Sequence, residues 1–156
     1  MRTLAVCCAA AALAGCGNAH EQQQPAPLTG REWRANAVVI VRQLQGDIAA
    51  TQIVGGTAAS GRAALHNVSS LYGLLVSYSD FGGCRQMVAA AGAAPPTALP
   101  VERLLATGCR HLERASTLYT RAVTRNDGGS LVAAGRESGR ALPTLVRAAA
   151  LLGGRR

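Results

Sequence analysis

Five stretches of the chain repeat apolar side chains every three or four positions, the period of a helix with one buried face. In residues 30–54 the stripe is Trp33, Ala37, Ile40, Val41, Leu44 and Ile48, and Gly55-Gly56 ends it. Residues 58–80 carry Leu65, Val68, Leu71, Tyr72 and Leu75, ahead of Gly82-Gly83. A short third helix is expected over 84–91, closed by Gly92 and Pro95-Pro96. The fourth begins near Leu99-Pro100, with proline in a first turn that does not need its N–H, and runs to Asn126-Asp127-Gly128-Gly129. The fifth covers 130–152, and Pro143 should kink it. No segment alternates with a period of two, and the connections are short. The expected fold class is therefore all-α, an up-down four-helix bundle over 30–153 with an additional short helix and one disulfide.

The start of the bundle is marked twice. Thr29 with Glu32 three residues on makes a capping box, and Leu28 with Trp33 is placed to form the hydrophobic staple across it. Several glycines, namely Gly46, Gly73, Gly108, Gly135 and Gly139, fall inside expected helices, where each costs about 1 kcal/mol relative to alanine. Close approach between helices is the expected compensation.

Composition changes what the core must look like. The chain has 156 residues, room for one domain, and apolar residues make up 49% of it, but aromatics only 3%: Trp33, Tyr72, Tyr78, Phe81 and Tyr119. Alanine supplies much of the remainder, so the helices must pack on small side chains.

Charge adds a face. The net charge of +8 comes from 16 arginines and no lysine. Arg103, Arg110, Arg114, Arg121 and Arg125 are spaced 7, 4, 7 and 4, which at about 100° per residue gathers them into a narrow arc of the fourth helix. Arg136, Arg140 and Arg147 repeat the arrangement on the fifth, with Glu113 and Glu137 expected to lie to the sides. Two readings stay open. The stripes are either the solvated faces of amphipathic helices, in a genome that writes arginine where others write lysine, or a surface that binds an anionic ligand or polymer.

The first sixteen residues carry an address. Arg2 precedes an apolar run from Leu4 to Leu13, too short to cross about 30 Å of hydrocarbon at 1.5 Å per residue, and Leu13-Ala14-Gly15-Cys16 follows it. This segment resembles the signal and lipobox of bacterial lipoproteins. The resemblance implies removal of residues 1–15, a lipid on Cys16 and a cell-membrane location on the extracytoplasmic face, with the membrane itself as a partner. Cys7 and Cys8 would leave with the signal. Residues 16–29, rich in Gln and Pro, would then be the lipidated cysteine and a flexible tether reaching on the order of 20 Å. The body is similar in layout to small helical lipoproteins of GC-rich bacteria.

Outside the cytoplasm two remaining thiols favour a disulfide, so Cys84 and Cys109 are expected to pair. If the short helix rises from Cys84 and the fourth descends from Leu99, the hairpin brings Cys109 back to the level of Cys84. A metal or catalytic thiol would need ligand spacing that is missing here. His20, His66 and His111 are isolated, no Glu-x-x-His pair occurs, and neither a nucleophile elbow nor a P-loop is present. No cofactor, metal or catalytic residue is expected. Nucleic acid is disfavoured, because few aromatics are placed to stack on bases. The function expected is that of a lipid-anchored, non-enzymatic interaction or scaffolding module for an envelope protein or anionic polymer.

Overall fold

The computed structural model describes residues 29–55 and 58–154. Six α-helices fill these stretches: α1 (Gly30–Gly55), α2 (Ala58–His66), α3 (Val68–Gly82), α4 (Cys84–Ala90), α5 (Leu99–Arg125) and α6 (Gly128–Gly153). A single 3₁₀ turn, Pro96–Ala98, leads into α5. The all-α class holds.

α1 packs against α3 and α6, and α5 packs against the same two, so the four long elements close a bundle in the order α1, α3, α5, α6. The capping box at its start is formed: the Thr29 N–H donates to Glu32 Oε2 at 2.8 Å, and the Glu32 N–H donates to Thr29 Oγ1 at 3.3 Å. Trp33 follows it into the core and donates from Nε1 to the Gly92 carbonyl at 3.1 Å. Leu28, the other half of the staple, lies outside the described residues. The α1 stripe is buried from Trp33 to Ile48 except for Ile40, which is half-buried.

The core between α5 and α6 is built from small side chains, with Ala115, Ala122, Ala134, Ala141 and Ala148 all fully buried. A β-carbon on Gly108 would come within 3.1 Å of Thr144 Oγ1 and 3.2 Å of Leu145 Cδ2, so here the close approach expected of the helical glycines is real. At Gly46 and Gly73 it is not: among the described residues nothing lies within 4 Å of an added β-carbon. Aromatic packing is concentrated between α3 and α5, where Tyr78 stacks on Tyr119 with centroids 4.5 Å apart and meets Phe81 edge-on at 5.3 Å.

One expected helix is two. The stretch 58–80 breaks at Asn67, whose backbone is extended (φ −99°, ψ 107°) and whose Oδ1 accepts from the Ser69 and Ser70 N–H groups at 3.1 and 3.2 Å. That is an N-cap, worth about 1 kcal/mol over alanine, and it starts α3 afresh in a new phase. The core-facing residues of α3 become Leu74, Ser77, Tyr78 and Phe81, while Val68, Tyr72 and Leu75 of the expected stripe are exposed. The break frees α2 to pack against α6. Two glycines permit this contact: a β-carbon on Gly61 would sit 2.8 Å from the Gly128 carbonyl oxygen, and one on Gly128 would sit 2.9 Å from the Arg62 nitrogen.

The α5–α6 corner is tight. Asn126 takes the left-handed conformation (φ 50°, ψ 43°) that ends α5, and Asp127 caps α6 by accepting from the Gly129 N–H at 2.9 Å. α6 then runs through Pro143 as one helix.

Candidate functional site

The two cysteines of the body meet as the hairpin geometry requires. Gly83 ends α3 and opens α4 at Cys84, which is bonded to Cys109 near the middle of α5, with Cα atoms 5.4 Å apart. Both are fully buried. The bond ties the short helix to the bundle. Cys16, expected to carry the lipid, lies outside the described residues, as do Cys7, Cys8 and His20. No described helix is long and apolar enough to cross a membrane.

All eight arginines of the expected stripes are exposed: Arg103, Arg110, Arg114, Arg121 and Arg125 on α5, and Arg136, Arg140 and Arg147 on α6. The two helices are neighbours, so the stripes share one side of the bundle. Their arc on α5 lies opposite Leu105 and Leu112, which are buried. Arg110 donates to Thr107 Oγ1 at 3.2 Å.

The acids divide differently from expectation. Glu113 does lie to one side, where it takes Arg85 of α4 at 2.7 Å. Glu137 instead sits in the seam between α5 and α6. His111 Nδ1 is 3.0 Å from its Oε2, and Arg140 pairs with its Oε1. The hydrogen bond from His111 and the charge of Arg140 hold the Glu137 carboxyl below the usual carboxylate range, against the opposing pull of its partial burial. Arg140 is therefore neutralised locally, and the basic surface is two stripes separated by an acid. Exposed guanidinium groups of this kind bind anions weakly one at a time and gain strength only in number.

A second group of polar residues lies between α1 and α3. Gln43 Nε2 donates to Asp80 Oδ2 at 2.8 Å, and Asp47 sits one turn along α1 with its Oδ2 buried and, among the described residues, without a hydrogen-bond partner. Loss of water, then the charge of Asp80, pushes the Asp47 carboxyl up to about 6. Deeper in, Thr51 and Ser138 share a hydrogen bond of 3.2 Å across α1 and α6. The Tyr78 hydroxyl is buried, which raises its pKa well above the usual value, while the Thr51 hydroxyl beside it pulls the other way. Among the described residues no three His, Cys, Asp or Glu side chains cluster as metal ligands would. His66 is exposed at the end of α2.

The re-phasing of α3 creates a feature that the apolar periodicity of 58–80 does not predict. A groove of about 350 Å³ runs between α3 and the last turns of α5, lined by Val68, Leu71, Tyr72, Leu75, Tyr119 and Val123. The signal was in the composition of α3. Its fifteen residues hold one charge, Asp80, and its apolar positions go all the way round.

No known family model matches the chain, and neither a curated protein nor a solved structure does.

Proposed function

We propose that the chain is a lipid-anchored protein of the cell envelope that holds a helical bundle outside the membrane as a non-enzymatic interaction module. The lipobox-like segment ending at Cys16 motivates the anchor. The observation that carries the proposal is the buried Cys84–Cys109 bond, which belongs in an oxidising compartment of the kind such an anchor would reach. Removal of residues 1–15 also accounts for Cys7 and Cys8, leaving one thiol for the lipid and two for the bond.

Mass spectrometry of the mature N-terminus tests the anchor directly. The expected species begins at Cys16 and carries the added mass of acyl chains, and Cys16→Ser abolishes that mass and releases the bundle from the membrane fraction. A mature chain with an unmodified Cys16, or one still beginning at Met1, would overturn the proposal.

The arginine stripes support a second reading, in which the module binds an anionic ligand or surface through α5 and α6. Reversing charge at Arg110, Arg114 and Arg121 should then abolish salt-sensitive binding to anionic vesicles or wall polymer. Binding left intact by the triple reversal rules this reading out.

A further inference from the structure

Where the chain enters the bundle, the described residues leave a cleft of about 200 Å³. The start of α1, the turn before α5 and the end of α6 meet there, and its apolar walls are Trp33, Pro95, Val101, Leu151 and Leu152. The Trp33 indole is held by its bond to the Gly92 carbonyl, so its N–H asks for no further partner. Polar side chains are few, Arg34 and Thr97. On the rim, Leu151 is left 45% exposed among the described residues.

The residues that precede Thr29 fit this cleft in direction, reach and composition. The capping box sets the direction: Thr29 is the cap and Trp33 the fourth helical residue, the position against which an apolar residue before the cap packs. Reach is short. Gly30 lines the cleft, and Leu28 stands two residues before it, within about 7 Å of extended chain. In residues 17–28 the one large apolar side chain is Leu28, and Pro25-Ala26-Pro27 leads into it. Proline favours an extended conformation and brings no N–H, so such a segment packs on aromatic and apolar walls with few donors to satisfy.

We infer that residues 25–28 seat in this cleft as a strap, with Leu28 between Trp33 and Leu151, joining the entry of the chain to the end of α6. The contact exceeds a staple within α1, because its far wall belongs to other helices. It covers Leu151 with the chain's own residues, and it leaves residues 17–24 as the length available to a tether behind Cys16. The inference does not rest on the lipid anchor, since cleft and segment are the same whether or not Cys16 is modified.

Trp33 is the chain's one tryptophan, so its fluorescence reports the cleft. In the full chain, Leu28→Ser should shift Trp33 emission to the red and raise its quenching by acrylamide, while Gln23→Ser, outside the strap, should leave both unchanged. A double-mutant cycle separates the contact from a general loss of stability. Leu151→Ala should lower the urea midpoint of the parent but change it little in a Leu28→Ala background, since either substitution removes the same contact. Trp33 emission indifferent to Leu28→Ser, or additive losses from Leu28→Ala and Leu151→Ala, would each overturn the inference.

Discussion

His111 on α5 and Glu137 on α6 meet across the seam between the two helices, with 3.0 Å between Nδ1 and Oε2. The pair links the two helices, and Arg140 joins it through Glu137 Oε1 from the exposed side. Because the Glu137 carboxyl is held below its ordinary pKa, its ionised form is favoured by folding. That contribution is present above the unfolded carboxylate value near 4.5 and is lost as pH falls through the lower folded value. Glu137→Gln should therefore cost about 1 kcal/mol at pH 7 by urea unfolding, and the gap to the parent should narrow toward pH 3. An equal gap at both pH values would show that the carboxylate charge is irrelevant.

Asp47 works in the opposite direction. Its carboxyl is raised to about 6, so between about 4 and 6 the folded chain holds a proton that the unfolded chain releases. Stability from this group falls as pH rises through that window. Asp47→Asn removes the cost of ionising a carboxylate beside Asp80, and the variant should be more stable than the parent at pH 7 by on the order of 1 kcal/mol, discounted for partial solvent access. At pH 3.5 the two should unfold at the same denaturant concentration. A variant less stable than its parent at pH 7 would mean that the carboxylate makes a favourable contact.

Much of this bundle could be read from the chain because the relevant signals are local. Thr29 and Glu32 need only each other, so the capping box was visible at a spacing of three. Cys84 and Cys109 were legible through the hairpin, which depends on two helix lengths and a proline-rich turn. Asn67 defeated the periodicity for a physical reason: Leu65 and Leu71 keep the same apolar rhythm on both sides of it, and only its side-chain bonds to Ser69 and Ser70 reveal the break. The phase error then moved Val68, Tyr72 and Leu75 from core to surface. Glu137 was misplaced because its position in the seam depends on how α5 and α6 rotate about their axes, which neither helix encodes alone.

Asn67 itself is open to test. Asn67→Ala leaves the α3 N–H groups of Ser69 and Ser70 without their side-chain acceptor and should cost about 1 kcal/mol, whereas Asn67→Gly should cost only a few tenths. Thermal denaturation of the two variants against the parent separates the lost cap from a general effect of substitution. Equal loss in both would show that the side-chain oxygen is not what stabilises the start of α3.

The two sets of glycines should respond with opposite sign. Gly46→Ala meets no other described residue in mid-helix and should stabilise the chain by up to about 1 kcal/mol. Gly61→Ala drives a β-carbon to 2.8 Å from the Gly128 carbonyl oxygen, which must push α2 away from α6 at a cost of about 1–3 kcal/mol. Both follow from a melting-temperature comparison. A neutral Gly61→Ala would mean that α2 is free to shift on the end of the bundle.

Reduction of the Cys84–Cys109 bond is the largest single change expected from any of these sites. The bond closes a separation of 25 residues, which in the chain-entropy model stabilises the fold by about 3 kcal/mol through its effect on the unfolded chain. Cys84→Ala with Cys109→Ala should lose about that much, because both cysteines are fully buried and alanine keeps the site apolar. Most of the helix content should survive, since the α1, α5 and α6 packing does not pass through the bond. α4 should loosen first, as its seven residues are too few to hold as an isolated helix. Hydrogen exchange resolves the two effects: the amides of Met87–Ala91 should lose protection on reduction, while those of Leu112–Ala122 keep theirs. Uniform loss across α5 would instead make the bond a requirement of the whole bundle.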